Sequence, residues 1–461
     1  MDPTTIAPIA PASSKPTSGI LISRDYTLLW IGQSLSNVGD FVYNTALVLW
    51  VTQLLHGVIW APLAVSGIFI ATFLPQIIVG PLAGVFVDRW DNRRTLLRMD
   101  SSRVVLIALL VLATGAVPLP FFPQGQIPVG VALGTLYLII FIAEACGQFF
   151  NPARTTLMSD IVPTALQPRA VGLGQVTQSL AIIIGPPIAA LLFYRIGVQG
   201  TLLLNAASFL ISYLCIHSVR ATIVRASTSA AQPRFWNEFF IGLRFAVGNK
   251  VISTLIIAGV IILFGAAPLN SLGVFFLQQN LHASTAYYGY LDSALGIGAI
   301  VGAIIFSMLA TRIGLSRLLI SSLLLAGVLV ILYARMTSFT PAIVLLMLFG
   351  FFQAGMNIAI SPLFIRAIPR AMLGRVLALF TTCIALASLV SIAITGFLDS
   401  SVLHDFHATI FGVNFGPIDT ISTVGGLLVV LAALYTLVRL GFTDPATDAQ
   451  SASDAKSKSQ G

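Results

Sequence analysis

The sequence predicts an all-α membrane protein: twelve transmembrane helices in two six-helix bundles, with both termini in the cytoplasm. Three observations carry this. Of 461 residues, 57% are hydrophobic and only 9% charged, against roughly 25% charged in a soluble domain. Twelve apolar runs come close to or exceed the ~20 residues that cross a bilayer. Lys and Arg, which stay on the cytoplasmic side, fall almost wholly on one side of a chain threaded through those runs. An ordinary soluble enzyme, a disordered chain and a small disulfide scaffold are thereby excluded. The three cysteines, Cys146, Cys215 and Cys383, each lie in an apolar run and read as small buried hydrophobes. A net charge of +8 would suggest nucleic acid in a soluble domain. Here its distribution carries the information, and the expected partners are the lipid bilayer and a small substrate, with no nucleic acid.

Residues 1–24, rich in Pro, Thr and Ser, read as a disordered cytoplasmic tail and not a signal peptide, having neither an apolar core nor a cleavage site. The first bundle, 25–218, holds spans at 26–54, 62–87, 101–117, 129–150, 170–194 and 201–217. A cytoplasmic linker follows at 219–250. Its first part, RATIVRASTSAAQ, reads as flexible. Its second part, 234–247, places Phe235, Phe239, Leu243 and Ala246 at helical spacing. It either lies on the membrane surface as an amphipathic helix or extends span seven. The second bundle, 251–441, holds spans at 251–277, 288–310, 318–333, 341–365, 376–397 and 417–440, and 442–461 is a second disordered tail. With the amino terminus inside, 22 of the 24 Lys and Arg are cytoplasmic, leaving only Arg195 and Arg335 outside. Inverting the chain reverses that ratio, so the expected placement is multi-pass in the cell membrane.

The halves are nearly equal, 192 and 190 residues, and they repeat. After span four the chain reads IVPTALQPRAVGL and after span ten AIPRAMLGRVLAL. In both a proline (Pro163, Pro369) precedes an arginine (Arg169, Arg375) by six residues and a leucine (Leu173, Leu379) by ten. VDRWDNRR after span two has a weaker counterpart, ATRIGLSR, after span eight. Two six-span bundles related as parallel repeats resemble the major facilitator superfamily.

From Gly84 the run GVFVDRWDNRRTLLRMDSSR resembles that superfamily's cytoplasmic signature between spans two and three. Asp88, Arg89, Arg93 and Arg94 fall where the signature has them, although its central glycine is replaced by Asp91 and Asn92. With Asp100 and Arg103 continuing into span three, with the opening RDYTLLWIGQSLSNVGD and with the GRV at 374–376, the chain resembles the branch of drug:proton antiporters that holds macrolide efflux proteins and the enterobactin exporter. The resemblance implies a cytoplasmic gate formed by Gly84, Asp88, Arg89, Arg93, Arg94, Asp100 and Arg103. Physically, Gly84 and Gly80 let span two approach a neighbour closely, and Asp88 is placed to meet a helix amino terminus; anchoring by positive charge alone is the other role open to the loop. In span five Gly185 and Pro186 match the core of the antiporter helix-kink pattern, whose other glycines are replaced here by Ala181, Ala189 and Ala190.

Polar stripes give the candidate substrate or proton-coupling residues. Gln33, Asn37, Asp40 and Asn44 follow one another by four, three and four residues, which places them on one face of span one. Glu144, Gln148 and Asn151 do the same in span four and Gln353, Asn357 and Ser361 in span ten, while span seven carries Asn270 and Ser271. Polar groups facing lipid cost several kcal/mol each, so these faces look onto protein or water. The resemblance implies that spans one, four, seven and ten line a central cavity. Asp40 near the midplane, Glu144 in the inner half and Asp292 about one turn from the outer surface are functional candidates by their depth, with a satisfied interhelical hydrogen bond as the alternative role.

The four lysines, Lys15, Lys250, Lys456 and Lys458, follow no glycine-rich phosphate loop, and no His, Cys or carboxylate cluster has metal-ligand spacing. The expected activity is therefore that of a transporter and not an enzyme, without cofactor or metal, functional as a monomer. It exports amphipathic organic molecules, drug- or macrolide-like, by alternating access in exchange for protons. A dedicated exporter of one metabolite such as a siderophore, a lipid mover, and a membrane sensor or assembly partner are the alternatives.

Overall fold

The structure, a computed structural model, describes residues 22–87, 90–115, 127–220, 235–369, 372–406, 408–410 and 413–441. Its helices are α1 (Arg24–Leu54), α2 (Ala61–Ile78), α3 (Gly80–Val87), α4 (Asn92–Ala113), α5 (Val129–Ile161), α6 (Gln167–His217), α7 (Phe235–Gly248), α8 (Lys250–Ser271), α9 (Gly273–Gln279), α10 (Tyr288–Ile313), α11 (Leu315–Ala334), α12 (Phe339–Ala367), α13 (Leu373–Phe397) and α14 (Pro417–Leu440). The described chain is nearly all helical. Between Ala408–Ile410 and Val413–Phe415 lies a short antiparallel ribbon, with Ala408 opposite Phe415, which the hydropathy pattern does not foretell.

Local chemistry sets the helix starts. The Ser23 hydroxyl accepts from Tyr26 N at 3.1 Å to begin α1, the Asp91 carboxylate accepts from Arg94 N at 2.9 Å to begin α4, and the Asn249 side chain accepts from Val251 N and Ile252 N to begin α8. Each satisfies an orphan donor of a first turn. Asn249 also separates α7 from α8, and Gly242 of α7 packs on the Arg375 backbone at the start of α13. Residues 235–248 are thus a helix of their own and not an extension of the seventh span. Residues 221–234, expected to be a flexible linker, and the two tails lie outside the described residues.

Nine helical segments of the described chain are long and apolar enough to cross a bilayer. One of them, Thr164–His217, turns back on itself where Gly197 takes φ +72°, a left-handed conformation that glycine adopts without strain. The polar stripe of α1 and the charged first half of α4 keep those two helices out of the nine. Two elements are longer than their apolar runs: α4 begins at Asn92 and α5 continues to Ile161. Both extend past the hydrocarbon, where helix caps and packing decide the end and hydropathy does not.

The end of the molecule where α1 begins is the near end, and the end where α1 finishes is the far end. α1 packs along α6, and α4 lies against α5 and α6; α10 lies on α12, and α14 on α8 and α11. The sequence repeat is repeated in three dimensions: Val162 and Ile368 share extended backbone angles, and Leu166 N and Met372 N each donate to the carbonyl of the preceding proline, Pro163 and Pro369, at 2.8 and 2.9 Å.

The two groups of helices meet in two seams, both toward the far end. In the α6–α10 seam Gly289 lies so close that a Cβ would stand 2.2 Å from Pro186 O, Ser293 Oγ donates to Ile183 O, and Tyr194 bonds Thr285. In the α2–α13 seam Leu63 N donates to Ser400 Oγ at 3.1 Å and Gly396 packs on Ser66. A continuous apolar core, including Leu47, Leu55, Ile68, Leu272 and Phe276, bridges both groups there. At the near end Gly172, Gly174 and Gly374 face open space. Large apolar side chains such as Leu138, Leu191 and Met308 remain exposed, a surface that lipid covers and water would not tolerate.

Candidate functional site

A cavity of about 690 Å³ lies between the two groups of helices beneath the seams, large enough for a drug-sized molecule. α1 contributes Phe41 and Asn44, α2 Phe69, Thr72 and Phe73, and α6 Gln175 and Ser179; opposite them stand Asn270 of α8, Tyr288 and Asp292 of α10, and Gln353 and Asn357 of α12. Asn44, Asn270, Gln353 and Asn357, from the stripes of spans one, seven and ten, are in this lining, and so is Asp292, which the sequence singled out only by its depth. α5 contributes none of the lining, which corrects the expectation that span four faces the central cavity. α5 is packed against α4, α2 and α3, and its stripe divides among them, Glu144 meeting Arg103 of α4 and Gln148 meeting α3.

The four-residue stripe of α1 therefore divides by height. Asn44 reaches the central cavity. Asp40, one turn nearer the amino terminus, enters a separate chamber of about 50 Å³ inside the first group of helices, lined by Tyr43, Arg103, Ile107, Ala143, Glu144, Asn205 and Phe209. That space is large enough for a water molecule or two. It shares no lining residue with the central cavity. Gln33 and Asn37 line a third, near-end pocket of about 400 Å³, where Arg154 Nη1 donates to Gln33 Oε1 at 3.3 Å. Gln148 sits where α5 meets Gly80 at the head of α3.

The small chamber concentrates charge. Arg103 Nε donates to Ala143 O at 3.3 Å, and its guanidinium lies 5.2 Å from the ring centroids of both Phe150 and Phe209, a cation–π sandwich. Asp40 interacts electrostatically with Arg103, Glu144 and Asp100. Asp100 is fully buried and accepts from Ser212 Oγ at 2.7 Å. Asp40, Glu144 and Asp100 against Arg103 alone leave two negative charges uncompensated when all are ionised. Tyr43 Oη and Asn205 Nδ2 are buried here without a protein hydrogen-bond partner, so the chamber keeps spare polar capacity. Arg103 and Asp100, expected in the cytoplasmic gate, lie in this interior, further along α4 than its first turns, which are themselves packed into the bundle through the buried Leu96 beside Leu29, Phe150 and Ile216.

Of the other gate residues, Gly84 lies in α3, while Asp88 and Arg89 fall outside the described residues. Arg93 donates to the carbonyls of Ile216, at 3.2 Å, and His217, a cation on the carboxyl end of α6. Arg94 pairs with Asp91 at 3.7 Å. Gly185 and Pro186 stand at a crossing: a Cβ on Gly185 would lie 2.5 Å from Phe41 Cβ, and Pro186 O faces Gly289 across the seam.

The profile of the MFS_3 family, described as transmembrane secretion effectors, matches residues 19–404. The chain belongs to this family. It is accordingly a membrane transporter of the major facilitator superfamily. It is 28% identical over 274 residues to the uncharacterized MFS-type transporter YkuC of Bacillus subtilis, covering 56% of this chain and 59% of that one. It is 21% identical over 303 residues to macrolide efflux protein A of Streptococcus pyogenes, covering 66% and 71%. The match thus spans less than two thirds of the first relative. A bacterial homologue of the iron transporter ferroportin, in an inward-facing state, shares the fold at TM-score 0.70 and 16% identity, over 90% of this chain and 98% of that chain.

Residues that the sequence pattern did not single out complete the chambers: Tyr43, Arg154, Asn205 and Tyr288. Asn205 had a signal. With Ser208 and Ser212 it forms another stripe at helical spacing, in the arm of α6 that packs on α1 and α4. Arg154 and Tyr288 had none, since each lies singly near a helix end.

Proposed function

We propose that the protein is a proton-coupled exporter of amphipathic organic molecules, drug- or macrolide-like, built as twelve spans in two bundles, 25–218 and 251–441, and working in the cell membrane as a monomer by alternating access. The carrying observation is a drug-sized cavity at the bundle interface, beneath the two seams, beside a small chamber of ionisable groups. The count of twelve takes the nine apolar segments, adds α1 and α4, and reads the folded-back α6 as two. Arg195 and Arg335 stand at the far end, whereas Arg24, Arg93, Arg169, Arg312, Arg375 and Arg439 stand at the near end, which supports cytoplasmic termini. On that orientation the present state opens to the cytoplasm.

In this reading cargo enters from the cytoplasm, and the bundles rock about it until the far seams part. Protons from outside then neutralise the excess negative charge around Arg103, since burying two uncompensated carboxylates is costly. α1 carries the signal: Asp40 lies in the charged chamber, and its neighbour Phe41 lies in the cavity wall against Gly185. Release of the protons to the cytoplasm resets the cycle.

Efflux driven by a pH gradient in membrane vesicles tests this. Asp40→Asn combined with Glu144→Gln is expected to abolish uphill efflux while leaving downhill movement. Unchanged uphill efflux in the double variant would remove the carboxylates from the coupling mechanism.

A further inference from the structure

We infer that the central cavity is a site for a singly charged organic cation, with Asp292 as its charge partner. This rests on the transporter reading above and assigns the substrate class of the same cavity.

Among the described residues Asp292 is the only charged one in the cavity lining, and it makes no hydrogen bond and no ion pair with any of them. Its electrostatic neighbours are the hydroxyls of Tyr288 on its own helix and Tyr333 on α11, neither of which brings positive charge. The contrast with the small chamber around Arg103 decides the assignment. There the carboxyls already have Arg103; in the open cavity the carboxylate has no cation of its own. An ionised carboxylate left alone in a low-dielectric pocket is expensive, and an ammonium or phosphonium group carried in by a ligand removes that cost.

The walls fit the rest of such a molecule. Phe41, Phe69 and Phe73 offer apolar and aromatic surface, and ring faces attract a diffuse cation. Asn44, Gln353 and Asn357 supply neutral hydrogen-bonding groups that fix orientation without adding charge. One carboxylate matches one positive charge: an anion is repelled, and a dication leaves a charge unpaired. Asp292 is also adjacent to Ser293, which bonds Ile183 across the α6–α10 seam, so a ligand on it sits directly under the closed end.

Two ions of the same shape and opposite charge test this, tetraphenylphosphonium and tetraphenylborate, with binding measured by equilibrium dialysis on the full-length protein in detergent. The wild type is expected to bind the phosphonium and not the borate. Asp292→Asn, nearly isosteric, is expected to bind the phosphonium about thirtyfold more weakly or worse, the loss that follows removal of one partner of a buried charge pair; Asp292→Glu is expected to keep most of the affinity. No phosphonium binding, equal binding of both ions, or undiminished binding by Asp292→Asn in protein that elutes and melts like the wild type would each overturn the inference. If binding follows this pattern but phosphonium does not move in proteoliposomes under a pH gradient, the site stands and the coupled-transport reading fails.

Discussion

Asp40 and Phe41 are consecutive on α1 and look into different chambers, about 100° apart as successive helical residues must be. Several functional claims turn on single positions of this kind, and so does packing. Gly298 has the tightest contact: a Cβ there would lie 1.8 Å from Met347 O, and one on Gly302 2.3 Å from Phe351 O. Backbone cannot yield as a flexible side chain does, so α10 and α12 approach only because these positions are small. Gly298→Val is expected to destabilise the protein by about 3 kcal/mol or more, read as a lower melting temperature and less folded protein in detergent. Arg93 makes a smaller claim. Arg93→Met removes both bonds to the α6 carboxyl end and is expected to cost about 1 kcal/mol in the same assay.

At the scale of elements, the far seams act as a closed gate made of close backbone contacts. Gly289→Val places side-chain atoms against the Pro186 carbonyl and is expected to hold the α6–α10 seam apart. With the three native cysteines replaced by alanine, a probe at Gly174→Cys, which faces open space at the near end, is expected to react quickly with a water-soluble thiol reagent in the parent and more slowly with Gly289→Val added. Equal rates would mean the seam does not control the near end. The helices themselves were legible in the sequence: α14 occupies 417–440 as the apolar run does, and the Pro163 and Pro369 turns announced the repeat. Their ends were less so at α4 and α5, because apolar content reports the lipid-covered part of a helix and is silent on turns that continue into water. The stripes gave which residues are polar faces but not which chamber each meets. Spacing fixes direction around one helix axis, and only packing shows that Asp40 and Asn44, on one face, open onto different spaces.

Over the whole molecule, the division of basic residues between the two ends makes topology directly measurable. A fluorescent protein fused after 461 is expected to fluoresce in intact cells, as it folds only on the cytoplasmic side, whereas a periplasm-dependent alkaline phosphatase fused there is expected to stay inactive; the reverse pattern would invert the chain. The candidate charges were legible from depth alone, since Asp40, Glu144 and Asp292 stand out where ionised groups are rare. Their distribution between two chambers was not, because it depends on Arg103, which the sequence places at the start of span three but not beside Asp40 and Glu144.

The charged chamber and the central cavity share no lining residue, and that has a consequence for how such a protein changes over generations. Substitutions along the cavity wall can widen, narrow or recharge the space offered to cargo without touching the groups around Arg103. A lineage carrying this arrangement is free to reshape the cavity one wall residue at a time, while the charged groups around Arg103 stay as they are.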